Sequence, residues 1–302
     1  MKGKLWGIIC ALAGGALWGF SGTIGQYLFL EKQMNSQWLT MVRMLVAGVL
    51  LLLMVAVHEP GALTAVWRHP RDAARLILFA VLGLMTCQYT YMTAISYSNS
   101  ATATALQYLG QALILLVTCI RMRKLPDRRE SMALLLALAG VFLLTTHGRF
   151  GSLVLSPRAL LWGMGAAVSC MLYTLLPGRL LSRYGSMAIT GYGMLIGGVA
   201  LGAFTGAWRM KVALDGGAVL GVAAIAVLGT AAAFALYLQG VQNLGGVRAS
   251  LFACTEPVSA AVIASLWLGT EIALIDWLAI GLILAMAILI ALPSRKRQGA
   301  ER

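Results

Sequence analysis

Long apolar runs, separated by short segments that carry most of the charges, repeat along the whole chain. Each run is about 17–25 residues long, the length that a helix needs to cross roughly 30 Å of hydrocarbon. Backbone amides inside a bilayer must bond within their own segment, so the runs predict helices, and the alternation of a barrel strand is absent. Ten runs can be marked, over 5–27, 37–57, 75–97, 101–120, 131–147, 159–177, 187–206, 217–240, 247–268 and 273–292.

The composition places the chain in the same class. Of its 302 residues, 60% are hydrophobic and 11% are charged. A soluble domain of that size could not remove so much apolar surface from water, so the composition predicts a polytopic membrane protein. The longest interval between runs, about 58–74, is too short for a soluble domain. We therefore expect an all-α membrane protein with ten transmembrane helices.

The net charge of +13 is unevenly divided between the two sides of the predicted bundle. Intervals on the side of the N-terminus hold 17 Lys and Arg residues, whereas those on the opposite side hold five. This bias is the positive-inside pattern, which predicts a multi-pass protein of the cell (inner) membrane with both termini cytoplasmic and 293–302 as a basic cytoplasmic tail. The basic run at 121–129 is then a topology signal, and no nucleic-acid partner is expected.

The two halves of the chain resemble each other. At a constant offset of 146, Gly83 pairs with Gly229 and Tyr91 with Tyr237, and "LWG" opens both the first and the sixth run. Five helices in each half would insert the halves in opposite orientations, which is the inverted-repeat architecture of secondary transporters. The predicted halves are 1–147 and 159–292.

Cysteines and histidines give no indication of a catalytic or metal site. The five cysteines lie apart inside apolar runs and the three histidines at run ends, so there is neither a disulfide framework nor metal-ligand spacing. Walker, HExxH and GxSxG motifs are absent from the sequence. We expect no metal, no cofactor and no enzyme activity. An intramembrane enzyme, a lipid-handling protein and a passive channel remain as alternatives, although the sequence shows neither a titratable cluster nor rings of charge.

A known family shares the pattern of the last three runs. A turn with small residues and an arginine is followed by Ala-Ser ("GGVRAS"), a mid-helix Glu-Pro, and a Leu-Gly close to an acidic residue ("LGTE"). With "VRMLVAG" and "SATATALQYLGQALILL" in the first half, nearly the whole chain resembles the EamA-like branch of the drug/metabolite transporter superfamily. Two positions depart from the family pattern: Gln111 stands where the first half often has proline, and Thr270 interrupts the usual Gly-Glu.

The resemblance implies two EamA-like five-helix repeats and alternating access around a central cavity. Helices 1, 3, 4, 6, 8 and 9 would line that cavity, and helices 5 and 10 would hold a supporting position that suits a homodimer. The resemblance does not imply a cargo.

Glu256 is the one acidic residue of ten that lies at membrane depth. A carboxylate there costs a few kcal/mol, so it should face protein or a wet cavity, where burial favours the neutral form and the group can take up and release a proton. Pro257 frees the carbonyl of Ala253 and predicts a kinked helix. Three interpretations stay open: a coupling carboxylate at a hinge, a cavity or gating residue, and a hydrogen bond that ties two helices together.

Other polar and aromatic side chains inside the runs are candidates for the cavity wall. Two glutamines in hydrocarbon need partners, so the face of helix 4 that carries them is expected to look inward, either lining the cavity or forming hydrogen bonds to a neighbouring helix. Arg43, near the outer end of helix 2, is expected to reach the outer headgroups, with Glu256 or an anionic cargo as the alternative partner. The candidates for substrate binding, besides Glu256, are Trp18, Ser21, Tyr91, Thr104, Gln107, Tyr108, Gln111, Tyr173 and Tyr237.

Together these features predict a secondary active transporter of small organic metabolites or drugs. We expect an exporter that works by alternating access without ATP, with the proton as a candidate coupling ion. Its partners would be the small-molecule cargo and the membrane lipids.

Overall fold

The computed structural model describes residues 2–123, 125–148 and 154–291, and within these ranges the protein is all helical, with no strand. Each predicted run contains a helix. The ten helices are α1 (Lys2–Leu30), α2 (Ser36–His58), α3 (Pro70–Tyr97), α4 (Ser100–Arg121), α5 (Arg128–Thr146), α6 (Pro157–Leu175), α7 (Ser186–Thr205), α8 (Gly216–Leu244), α9 in two pieces (Gly246–Ala253 and Thr255–Leu268) and α10 (Leu274–Ala291). Short helices Pro60–Ala65 and Gly178–Tyr184 occupy the α2–α3 and α6–α7 connections.

Nine of these helices, in the described part of the chain, are long and apolar enough to cross a membrane. The tenth predicted run is also an apolar helix, but it is shorter. The prediction of a helical polytopic membrane protein is therefore confirmed, whereas ten membrane crossings stay a prediction.

Side-chain caps set the starts of several helices. Asn35 accepts hydrogen bonds from the first turn of α2, and Asn99 accepts one from the first turn of α4. Asp127 and Glu130 form a reciprocal capping box at α5, and Asp215 caps α8. Such caps satisfy amides that have no partner within the helix, so the polar residues of the connections define where the apolar segments begin.

The start of α3 differs from the prediction. The helix begins at Pro70 rather than at residue 75, because proline suits the first helical position and the charges that follow find partners. Asp72 accepts hydrogen bonds from Arg183 at 2.9 Å and from Tyr184 at 2.8 Å. These contacts join the α2–α3 and α6–α7 connections at one end of the bundle.

α3 and α8 each contain a π-helical turn at the corresponding place. The turns span Phe79–Met85 and Val227–Ala232, and they contain the glycines Gly83 and Gly229 that the sequence overlay pairs. In α8 the Thr230 hydroxyl donates to the carbonyl of Ile225, five residues back, at 2.9 Å. A π turn widens a helix locally and is frequent at functional sites. α3 and α8 therefore share an irregular turn at paired positions as well as an apolar composition.

Helix packing follows one scheme in both halves of the chain. α1 packs against α8 and α9, and α6 packs against α3 and α4. α2 packs on α7, and α5 packs on α10. The same pairs result when each helix of α1–α5 is exchanged with the helix five places along the chain: α1 with α8 and α9 corresponds to α6 with α3 and α4. The centre of the bundle is thereby enclosed by α1, α3, α4, α6, α8 and α9.

Candidate functional site

A cavity of about 240 Å³ lies in the centre of the bundle. Its wall combines aromatic rings, two glutamines of α4, and the opposite charges of Arg43 and Glu256. Among the described residues no three His, Cys, Asp or Glu side chains come together as a metal site would require. The lining residues are Trp18, Ser21, Arg43, Leu84, Cys87, Gln88, Tyr91, Gln107, Tyr108, Gln111, Cys170, Tyr173, Phe234, Tyr237, Ser250, Ala253 and Glu256.

The structure brings nine of the ten predicted side chains to this cavity. Thr104 is the one that does not line it: its side chain is fully buried and shares a 2.9 Å hydrogen bond with the hydroxyl of Tyr91. Thr104 also donates to the carbonyl of Ser100 at 2.7 Å, so it orients Tyr91 from behind the wall. That the lining residues bind cargo stays a prediction.

Several lining residues were missed by the sequence analysis. Gln88 has a recognisable signal, because it is a polar residue inside an apolar run and lies three residues before Tyr91, on the same face of the helix. The others are apolar or small and carry no such signal; they are Leu84, Cys87, Cys170, Phe234, Ser250 and Ala253.

α9 is interrupted where the Glu-Pro pair predicts a kink. The helix breaks at Cys254, between Ala253 and Thr255. Pro257 has no N–H to donate to the carbonyl of Ala253, four residues before it. That carbonyl instead accepts a hydrogen bond from the Tyr108 hydroxyl at 3.2 Å. The same hydroxyl shares its one proton with Glu256 Oε2, at 3.3 Å. Tyr108 of α4 therefore holds both groups that the break exposes.

Two glycines allow α1 to approach this break closely. A Cβ at Gly15 would lie 2.7 Å from the Ala253 carbonyl oxygen, and one at Gly19 would lie 2.5 Å from the Glu256 carbonyl oxygen. Real Cβ atoms do not approach backbone so closely, so only glycine permits this contact. The small-residue spacing in α1 thus brings backbone against backbone beside the cavity.

Arg43 lies inside the protein, so the expectation that it reaches the outer headgroups is wrong. Its side chain is 4% exposed and lines the cavity, where Nη2 donates to Gln88 Oε1 at 2.6 Å. Arg43 shares a helix face with Leu39 and Ala47, four residues away on either side, and both are fully buried. This face of α2 is turned towards α3 and α8: Leu39 belongs to a buried cluster with residues of α1, α3 and α8, and Arg43 itself bonds Gln88 of α3, which holds the guanidinium inside the protein.

Aromatic rings form one wall of the cavity. The centroid of the Trp18 ring lies 5.1 Å from that of Phe234 and 5.1 Å from that of Tyr237. Tyr173 stacks on Phe79 behind the cavity at 5.8 Å. These contacts hold the rings in place, so the wall offers preformed apolar surfaces of the kind found in small-molecule sites.

A buried polar network closes the bundle at the end that contains the α1–α2 and α3–α4 connections. The Gln26 side chain is 3% exposed, donates to Thr270 Oγ1 at 2.8 Å, and accepts from the Ser100 amide at 2.9 Å. Thr23 adds a 3.4 Å contact with the Ser100 hydroxyl and another with the Ala260 carbonyl. The network joins α1 and α4 of the first half to α9 of the second.

Fold and cavity together define a multi-pass helical membrane protein with a central binding-site-like cavity between its two halves. The chain belongs to the EamA-like transporter family, which matches residues 5–146 and 157–292 separately. It is therefore a membrane transporter, and the predicted family is confirmed.

Individual relatives agree with this assignment. Over 294 residues the chain is 38% identical to the uncharacterized inner membrane transporter YicL of Salmonella typhimurium, covering 97% of this chain and 98% of that one. It is 24% identical over 306 residues to the uncharacterized transporter YwfM of Bacillus subtilis, covering 100% and 98% of the two chains. A solved structure, "Crystal structure of protein", shares the fold with a TM-score of 0.64 at 17% identity, covering 98% of this chain and 99% of that one.

Proposed function

We propose that the protein is a secondary active exporter of small organic molecules that works by alternating access across the inner membrane. The observation that carries the proposal is the central cavity, which helices of both halves enclose. Because α1–α4 and α6, α8 and α9 all contribute to its wall, a tilt of one half against the other would expose the same side chains on either side.

An inverted repeat of two five-helix halves underlies this proposal. The packing pairs interchange when the halves are exchanged, and the π turns of α3 and α8 occupy corresponding positions. The family matches each half separately. With five spans in each half, including α10, the halves would cross the membrane in opposite directions.

The position of the cavity supports loading from the cytoplasm. Tyr173 lies within one turn of the end of α6, and Ser250 lies roughly one turn from the start of α9. On the other side Arg43 lines the cavity roughly two turns inside α2, and the Gln26 network lies closer to that end of the bundle. The positive-inside bias places the end of α6 and the start of α9 on the cytoplasmic side. The cavity lies close to that side, so this conformation would accept cargo from inside the cell.

Proton coupling through Glu256 is part of the proposal. Among the described cavity residues Glu256 is the one carboxylic acid, and it lies at the break in α9 where the two pieces could change their angle. A proton that binds there would remove a charge from the cavity wall during one half of the cycle. A homodimer through α5 and α10 stays a prediction.

Counterflow in proteoliposomes tests the proposed function. A cargo would first be found by screening amino acids, sugars, nucleosides and cationic drugs for ligands that raise the unfolding temperature of the purified protein. Vesicles preloaded with unlabelled ligand should then accumulate the labelled ligand transiently, and protein-free vesicles should not. Label that equilibrates without an overshoot would indicate a channel, and chemical conversion of the ligand would indicate an enzyme; either result would contradict the proposal.

A further inference from the structure

Arg43 carries hydrogen-bond donors that the protein leaves unused. The side chain is 4% exposed, and its one hydrogen bond goes from Nη2 to Gln88 Oε1 at 2.6 Å. Nε and Nη1 are buried and have no partner in the described protein. A guanidinium has five N–H donors in a planar fork, so most of the binding capacity of Arg43 is free.

No acidic side chain of the described protein forms an ion pair with Arg43. Glu256, in the same cavity, accepts its hydrogen bond from Tyr108 and lies beyond ion-pair distance of the guanidinium. Asp72 pairs with arginines at the far end of the bundle, and Asp215 pairs with Lys32. Glu256 attracts the guanidinium only from a distance, and a buried cation without a hydrogen-bonded counter-ion is costly, so an anion that enters the cavity and bonds Arg43 directly would offset that cost.

Ser21 adds a second unused polar group in the same cavity. Its side chain is 3% exposed, and its hydroxyl has no partner among the described residues. Gly229 lies against it so closely that a Cβ there would overlap the serine side chain. The hydroxyl is thus confined in a wall that offers it no acceptor, although buried hydroxyls are normally hydrogen-bonded.

We propose that Arg43 and Ser21 bind the carboxylate or phosphate group of the cargo, so that the transported molecules are small organic anions. The inference rests on the proposed function and gives its cargo class. A guanidinium fork matches the two oxygens of either group, and such charge-assisted bonds are stronger than neutral ones. The rings of Trp18, Phe234 and Tyr237 would receive the body of the molecule. A cavity of 240 Å³ has room for about eight water molecules, which suits a cargo with one ring.

Binding of matched probes to the purified full-length protein tests the inference. Benzoate and phenyl phosphate carry the two anionic groups, benzamide is the neutral counterpart of benzoate, and sodium chloride tests for inorganic anions. The shift in unfolding temperature with probe concentration gives the affinity of each. We expect benzoate or phenyl phosphate to bind about tenfold more tightly than benzamide, since hydrogen bonds to a charged group contribute that much. The member of the pair that binds better identifies carboxylate or phosphate.

Substitutions connect the binding to the named residues. Arg43→Gln should remove the advantage of the anionic probe over benzamide, whereas Arg179→Gln, which removes an exposed arginine of the short helix Gly178–Tyr184, should leave it unchanged. Ser21→Ala breaks no hydrogen bond of the described protein, so it should fold and should weaken anion binding about fivefold. This second variant keeps the test decisive if Arg43→Gln does not fold.

Three results would overturn the inference: equal binding of benzoate and benzamide by the wild type, an effect that chloride alone reproduces, or an anion preference that survives in both variants. The proposed function has a separate outcome. Anion binding without counterflow would contradict transport and support the anion site. Counterflow of neutral or cationic cargo alone would support transport and contradict the anion site.

Discussion

Tyr108 of α4 donates a hydrogen bond to the Glu256 carboxylate of α9, with 3.3 Å between the two oxygen atoms. The same hydroxyl lies 3.2 Å from the Ala253 carbonyl oxygen, on the other side of the break in α9. A carboxylate can accept several hydrogen bonds, so after this single contact Glu256 can still accept others from groups in the cavity. The tyrosine thus connects α4 of the first half to the break in α9 of the second.

Glu256→Gln separates a coupling role from a structural one. Glutamine keeps the shape and accepts the Tyr108 hydrogen bond, but it cannot bind a proton. We expect the variant to fold and to exchange cargo in counterflow, and to lose accumulation driven by a pH gradient. Uptake of labelled cargo into proteoliposomes, with and without the gradient, provides the measurement.

Tyr108→Phe is the matched control for that experiment. It removes the hydrogen bond to Glu256 and keeps the titratable carboxyl group, so gradient-driven uptake should persist, at a lower rate if the hinge is less well held. Wild-type accumulation by the Gln variant would exclude the coupling role and leave Glu256 as part of the hinge.

Cysteine accessibility tests whether the glutamine face of α4 borders water. Gln107 and Gln111 line the cavity, whereas Thr104 on the same helix is fully buried behind Tyr91. In a background without the native cysteines, Gln107→Cys and Gln111→Cys should react with a small water-soluble maleimide, and cargo should protect them. Thr104→Cys should stay unlabelled under the same conditions. Equal labelling at all three positions would contradict the claim that Gln107 and Gln111 border water and Thr104 does not.

Gly19→Ala tests the close approach of α1 to the break in α9. The new Cβ would lie 2.5 Å from the Glu256 carbonyl oxygen, so the helices must separate, at a cost of about 1–3 kcal/mol in unfolding free energy. Gly281→Ala, in α10, is the control because nothing lies within 4 Å of its Cβ position. We expect a lower unfolding temperature and slower transport for the first variant, and an unchanged or slightly raised unfolding temperature for the second.

The Lys32–Asp215 ion pair ties the α1–α2 connection to the start of α8, at 2.6 Å. The hydrogen bond from Lys32 holds the pKa of Asp215 below its usual value, and the same bond raises the pKa of Lys32. The contribution of the pair is therefore complete near neutral pH. It is lost as pH falls through the lowered carboxyl pKa, and again as pH rises through the raised lysine pKa.

Asp215→Asn tests this pH dependence. Asparagine also caps helices, so the variant loses the charge and keeps the cap to Ala218. Its unfolding temperature should fall slightly below that of the wild type at pH 7, and the difference should vanish at pH values well below about 4, the ordinary carboxyl range. Lys32→Gln should add nothing further in the Asn background. A difference that persists in acid would assign the effect to capping.

Reporter fusions test the proposed topology. Fusion at Thr270, between α9 and α10, should report the outside, and fusion at Asp127, before α5, should report the cytoplasm. Gly151 and Gln298 lie outside the described residues, and the same topology predicts outside and cytoplasm for them. A cytoplasmic signal from Thr270 would contradict opposite insertion of the two halves.

Much of the fold follows from local features of the sequence. An apolar run must satisfy its own amides in lipid, so hydropathy alone predicts each helix to within a few residues. The overlay of Gly83 on Gly229 paired two stretches that both contain π turns, although it did not predict the turns themselves, and Pro257 indicated the break in α9. The start of α3 was predicted at residue 75, but the helix begins at Pro70. Hydropathy cannot detect the partners that the charged residues there find on the α6–α7 connection.

The side chains that face the cavity were predictable where polarity made them costly in lipid. Gln107, Gln111 and Glu256 need partners or water, and this requirement holds whatever surrounds them. Arg43 was misassigned because a flexible arginine near a helix end can reach the headgroups or turn inward. The contacts of this face of α2 with α3 and α8 decide between these two outcomes, because they enclose the guanidinium. The sequence by itself determined which residues could not face lipid. Only the tertiary structure decided which neighbours they meet, because those contacts join residues far apart in the chain.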